Sequence, residues 1–361
     1  MRDTDLSLGD LIDMQIRTSG PISLATYMGL CLTHPSRGYY RTSDPLGVGG
    51  DFITAPEISQ TFGEMIGAWI ADLYVQMGSP DAITVLELGP GRGTLMADAL
   101  RVATRVPGFS DALNLQLMET NAALIEMQRD KLAAFGPQWT EDIGELPPSP
   151  LIVIANEFFD ALPVRQFVKR EEKWFERCIG LADGRRVFGL SPTPYDGTLL
   201  GEAFSNAKDG EVAEIGLAGR QLMEQLGRTI APRGGAILTI DYGYEHTQPG
   251  ETLQALSRHE YADPLAEPGK ADLTTHVDFE ALGHAARIAG LTIHPLVTQG
   301  HFLTSLGLED RHSALSKTNP DKAEQLRSAF ERLTGSSQMG TLFKAFCASS
   351  PGLAPAGFVS R

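Results

Sequence analysis

The chain has 361 residues, of which 42% are hydrophobic and 21% charged, enough apolar material for a large buried core and too little bias for disorder, collagen or a coiled coil. Its 30 basic against 45 acidic residues leave a net charge of −15, which argues against a broad basic footprint for nucleic-acid phosphates and suits a cationic partner such as an Arg- or Lys-bearing peptide. Cys31, Cys178 and Cys347 stand far apart with no second Cys or His at metal-ligand spacing, so neither a disulfide framework nor a metal site is expected.

The opening residues carry acid and lack the basic and apolar regions of a secretion signal, and no apolar run reaches the roughly 18 residues that span a bilayer. A cytoplasmic protein without membrane insertion is the expectation. The first eighty residues read as helical: a short apolar helix over 23–32, the turn His34-Pro35-Ser36-Arg37-Gly38, a Gly-rich stretch over 47–53, and a helix entered at Thr54. Thr54 and Glu57 have capping-box spacing, and Ile58, Phe62, Ile66, Trp69, Ile70 and Leu73 fall on one helical face behind them.

From Ala82 onward short β runs alternate with helices, at 84–88, 114–119, 139–143, 151–155, 236–240, 291–297 and 341–346. Strands in this rhythm predict a doubly wound α/β sheet. The connection between the fourth and fifth strands is too long for one crossover, and it reads as an inserted hairpin over 164–190, turning at Asp183-Gly184, followed by a crossover helix over 211–226. A loop over 242–275 is rich in Gly, Pro, His and acid, and Ala323, Leu326, Phe330 and Leu333 mark a last amphipathic helix closed by Gly335.

The first strand runs into Glu87-Leu88-Gly89-Pro90-Gly91-Arg92-Gly93 and then a helix near Leu95. Gly89, Gly91 and Gly93 permit positive φ and let a ligand lie against the backbone at the carboxyl edge of the sheet. The second strand ends in Glu119, placed to accept both hydroxyls of a ribose; the third runs into Asp142 and Ile143, suited to the amino group and face of an adenine; the fourth ends in Asn156 and Glu157. A nucleoside-bearing cofactor is therefore expected. An acid two residues before the first glycine suits the ammonium end of S-adenosylmethionine better than the pyrophosphate of NAD, which leaves an NAD-dependent oxidoreductase as the disfavoured alternative.

With Glu87 to Gly93, and with Gly38-Tyr39-Tyr40, Gly50-Asp51-Phe52-Ile53-Thr54-Ala55-Pro56-Glu57, Asn156-Glu157-Phe158-Phe159-Asp160-Ala161-Leu162-Pro163, Asp241-Tyr242-Gly243 and Asp272-Leu273-Thr274-Thr275-His276, the chain resembles the MidA family of class I S-adenosylmethionine-dependent methyltransferases. The resemblance implies a seven-stranded Rossmann-like sheet and methyl transfer to a protein arginine, giving symmetric dimethylarginine on the quinone-site peripheral-arm subunit of respiratory complex I. It also implies that Thr54 and Ser59 reach the methionine end of the cofactor. A weakly catalytic assembly factor for the same complex is the second reading.

The chemistry asks for a carboxylate to hold a guanidinium whose pKa exceeds 12. Glu157 and Asp160 are the expected clamp, and His276, read as preceding a helix capped by Thr275, is an expected proton acceptor or peptide contact. In this reading 1–80 form a helical segment and cofactor lid, and 81–361 the methyltransferase core, with insertions at about 163–200 and 242–275 that build the peptide groove.

Overall fold

Six-residue apolar runs beside glycine or proline build the centre of the molecule. A computed structural model describes residues 6–42, 54–257 and 259–358; the Gly-rich stretch expected over 47–53 lies outside them. The main sheet is formed by β1 (Ile83–Leu88), β2 (Leu113–Met118), β3 (Gln138–Trp139), β4 (Leu151–Asn156), β5 (Gly235–Tyr244), β6 (Thr292–Ile293) and β7 (Phe343–Ser349). They lie in the order β6-β7-β5-β4-β1-β2-β3, parallel from β5 through β3 with β7 antiparallel to β5. This is the expected doubly wound sheet, with its strand order reversing between β1 and β4.

The helices that matter to the site are α1 (Leu8–Ser19), α2 (Leu24–Thr33), α3 (Gln60–Gln76), α4 (Thr94–Ala103), α5 (Ala122–Lys131), α6 (Leu217–Arg233) and α7 (Phe279–Ile288). Alternation along the strands sends Val85, Ile152, Ile154 and Leu238 to the face covered by α3 and α4. Leu86, Val153, Ala155 and Ile237 go to the face covered by α6 and α7. Gly63 and Gly67, one turn apart on α3, let that helix cross α4 closely: a Cβ on Gly67 would stand 2.1 Å from the Ala99 carbonyl oxygen. Gly67→Ala is expected to destabilise the protein by about 1–3 kcal/mol, read as a lowered Tm with the cofactor site intact.

The described part of 1–80 is shared between two cores. The 55–74 side chains pack on the main sheet, whereas α1 and α2 pack with Val164 and Ile179 of the first insertion and with Ala255 and Leu273 of the second. The helix expected to run through from Thr54 is broken: Ala55–Ile58 and α3 are separated by Ser59, whose backbone is extended at φ −157° and whose hydroxyl accepts the Thr61 N–H. Thr54 caps the short helix by position only, because its side chain makes no capping bond and Glu57 turns instead to accept the Thr94 hydroxyl at 2.8 Å.

Other expectations are corrected by turns. The Asp183-Gly184 turn is present, but the run before it folds back a second time at Glu171 and Glu172, both at positive φ, to give antiparallel strands Arg165–Arg170, Lys173–Ala182 and Arg185–Leu190. The expected helix over 211–226 starts late: Val212–Ile215 is a strand on Arg165–Arg170, with the buried Glu214 carboxylate accepting Gln166 Nε2 at 2.7 Å, and α6 follows. Within 242–275 the chain extends β5 to Tyr244 and then makes a small sheet of Gln254–Ser257, Glu260–Tyr261 and Asp272–Thr274. The 291–297 strand splits into β6 and Val297–Thr298, both on β7, around Pro295, which has no N–H to give a ladder. No helix among the described residues is long and apolar enough to cross a membrane.

Candidate active site

β1 is buried along its whole length and ends in a turn where Gly89, Gly91 and Gly93 have φ of 60°, 54° and 71°. A side chain at any of the three would be strained, and at Gly89 a Cβ would also meet the Phe158 ring at 2.9 Å. Gly93 begins α4, and the Gly91 carbonyl accepts Gln128 Nε2 at 2.6 Å. Gln128, fully buried on α5, also reaches Glu119 at 3.3 Å and accepts the Trp139 indole N–H at 2.7 Å. It ties the glycine turn to the end of β2, a role that nothing in the sequence singled out.

The turn opens on a cleft of about 320 Å³ whose lining includes Thr54, Glu87, Gly89, Gly91, Glu119, Asn156 and Glu157. Consecutive parallel strand ends bring these residues together across the reversal of strand order. Glu87 is 3% exposed, its Oε2 has no hydrogen-bond partner among the described residues, and burial with the nearby Glu119 pushes its carboxyl up to about 8. Glu119 accepts the Thr120 and Asn121 N–H groups at 2.7 and 2.8 Å; burial raises it and those donors hold it down. One wall of the cleft thus holds one buried acid short of donors, Glu87, beside a second, Glu119, an arrangement suited to a ligand with an ammonium and ribose hydroxyls. The residues fit S-adenosylmethionine.

The opposite wall is the turn after β4. Glu157 has φ 51°, rare outside glycine and a form of strain found where surrounding contacts over-determine the backbone. Its Oε1 accepts the Ala55 N–H at 3.1 Å and Asn156 Nδ2 at 3.0 Å, while Oε2 has no partner among the described residues. Burial, with the neighbouring Asp160 adding to it, pushes Glu157 up to about 7. Asn156 leaves its own Oδ1 buried and without a hydrogen-bond partner among the described residues. Tyr40 lines the same cleft with its hydroxyl donating to Asp272 at 2.7 Å.

Six expected residues fall outside the cleft lining, Gly93, which begins α4, among them. Asp142 is exposed and accepts the Gly144 N–H at 2.7 Å, and Ile143 is 3% exposed in the core under Leu86 and Val153. The reason is that β3 is only two residues long: Thr140 turns the chain, its hydroxyl accepting the Asp142 N–H, before the acids are reached. Ser59 serves as the cap of α3. Asp160 is buried behind the turn with Oδ1 unpaired among the described residues; burial lifts it to about 6 against the Tyr242 hydroxyl and Ala161 N–H. His276 borders a separate small cavity with Arg220 and Asp278, its ring 5.5 Å from Tyr242 and its pKa lowered by burial; the cap of α7 is Asp278, not Thr275.

Similar proteins agree with this geometry. The chain is 34% identical to the protein arginine methyltransferase NDUFAF7 of Danio rerio, over 92% of this chain and 84% of the relative. It is 36% identical to the Drosophila melanogaster homologue, over 96% and 85%, and both are named mitochondrial. A crystal structure of a COG1565 superfamily member from Burkholderia thailandensis, bound to S-adenosyl-homocysteine, matches with TM-score 0.88 and 27% identity over 98% of this chain and 94% of that one. A family model of S-adenosyl-L-methionine-dependent methyltransferases matches residues 65–297. With the glycine turn, the paired acids and the sheet order in place, the chain belongs to this family of S-adenosylmethionine-dependent methyltransferases.

Proposed function

We propose that this methyltransferase acts on an arginine of a protein, with Glu157 as the carboxylate that holds the guanidinium. The observation that carries the reading is Glu157 itself: a strained backbone sets a half-buried carboxylate in the lining of the cleft, with one oxygen fixed by Ala55 and Asn156 and the other unpaired among the described residues. The names of the relatives support it. Bound S-adenosylmethionine supplies an electrophilic methyl group on a sulfonium. Gly89, Gly91 and Gly93 admit the cofactor to the backbone, Glu87 receives its ammonium and Glu119 its ribose hydroxyls, while Asn156 and Thr54 border it.

An ionised Glu157 draws positive charge toward the guanidinium nitrogens it grips and leaves the remaining nitrogen more nucleophilic. Each methyl group accepted displaces one N–H proton, which the Glu157 carboxylate is placed to take on Oε2. In this assignment Asp160 sets the charge state of Glu157 from behind the turn, and His276 is left to the outer wall of the acceptor side. The 1–80 segment acts as a lid through Thr54 and Tyr40, and the insertions form the peptide groove. The reading extends to symmetric dimethylation of the quinone-site subunit of complex I, or of its counterpart in a cytoplasmic setting.

The test is transfer of radiolabelled methyl from S-adenosylmethionine into a lysate of cells lacking this gene, with mass spectrometry of the labelled band. Dimethylarginine in one band is the expected result, and the complex I subunit is the first to examine. Label in small molecules alone would overturn the assignment of a protein substrate.

A further inference from the structure

Asp241 is fully buried where β5, still paired with β7, runs past the end of β4, one residue beyond Ile240, which pairs with Asn156 and accepts the Glu157 N–H at 2.8 Å. Its Oδ2 accepts three consecutive backbone donors, the N–H groups of Phe158 at 3.2 Å, Phe159 at 3.0 Å and Asp160 at 3.2 Å, and its Oδ1 accepts the Tyr242 N–H at 2.9 Å. Three successive N–H groups converging on one oxygen form an anion nest, here filled by a side chain of the neighbouring strand. The residue just before that nest is Glu157, and the first residue within it is Phe158, whose ring lies against Gly89 of the glycine turn.

We propose that Asp241 is a positioning residue for methyl transfer: by gathering the Phe158, Phe159 and Asp160 N–H groups it locks the turn that holds Glu157 in its left-handed conformation. The catalytic part of this inference rests on the role given to Glu157 above. A carboxylate is required because a single oxygen must serve three donors while the second oxygen takes a fourth; an amide in its place would turn N–H toward N–H at one side or the other. Burial, with the carboxyls of Asp160 and Glu157 adding to it, raises Asp241, and the Asp160 and Tyr242 N–H groups hold it down; as a carboxylate it adds its charge where the acceptor is held.

The test is Asp241→Asn in the full chain, assayed on the arginine substrate identified by labelling. Expected is a fall in kcat of about tenfold to 100-fold, unchanged affinity for S-adenosylhomocysteine by calorimetry, and a shift of the acid limb of the pH–rate profile to lower pH because a neighbouring negative charge is gone. An unchanged kcat and acid limb would overturn the proposal. A second measurement, on the wild-type chain, holds if the variant does not fold or if no arginine is labelled: residue-level hydrogen exchange should find the Phe158, Phe159 and Asp160 amides as protected as those of β5. Exchange at the rate of exposed loops would overturn the anchoring role whatever the acceptor proves to be.

Discussion

Glu157→Gln is expected to lower methyl transfer by about 100- to 1000-fold while leaving S-adenosylhomocysteine affinity in place. The amide keeps the shape of the side chain and can still accept the Ala55 N–H, so the turn survives; what disappears is the negative charge that holds a cation in a water-poor site. Activity at neutral pH should already be sensitive to protonation, because burial and Asp160 place the free Glu157 carboxyl at about 7. Only the ionised form grips a guanidinium, so kcat/KM rises with pH through that value and levels above it. Asp160→Asn removes one of the causes of the raised value and should move the limb to lower pH. A Glu157→Gln enzyme with undiminished transfer would assign the acceptor grip to another group.

The parts of this arrangement that were legible in the sequence are those set by strand alternation and by glycine. β1, β2 and β4 fall within a residue of their expected ranges, because β1 and β4 are mainly apolar runs and β2 alternates apolar with polar residues. A parallel sheet then brings strand ends together, so Glu87, Glu119, Asn156 and Glu157 meet at one cleft. Asp142, expected by the same logic, falls outside the cleft lining, since β3 is only two residues long and the chain turns at Thr140. The two-residue turn at Glu171 and Glu172 carries no glycine or asparagine to announce it, and the four residues Val212–Ile215 look helical until Gln166 of a distant strand satisfies Glu214. Asp241 showed only as part of a resemblance motif, without a role, and Gln128 not at all, for a related reason. Both act through backbone groups, and a sequence does not show which N–H or carbonyl a side chain will find.

Glu87→Gln is expected to weaken S-adenosylhomocysteine binding by about 30-fold to more than 1000-fold at alkaline pH, the cost of removing one partner of a buried charge pair. The wild-type affinity should itself depend on pH. The free Glu87 carboxyl sits at about 8, so at neutral pH most molecules hold a proton there, and that proton must leave before the carboxylate can meet the ligand's ammonium. Affinity therefore rises by up to about tenfold per pH unit below that value and levels above it, with proton release on binding that calorimetry in buffers of different ionisation enthalpy will register. Glu87→Gln should abolish both the slope and the proton release. The same group makes the ligand-free protein less stable as pH rises. Its folded value lies above the 4.5 of an unperturbed glutamate, so the folded chain retains a proton that the unfolded chain gives up, and the stability this contributes is whole below 4.5 and lost as pH climbs through about 8. Bound ligand reverses the sign by favouring the carboxylate, so the thermal shift given by S-adenosylhomocysteine should grow from mildly acidic to mildly alkaline pH in the wild type and stay flat in the variant. A pH-independent shift in the wild type would mean that Glu87 does not receive the ammonium.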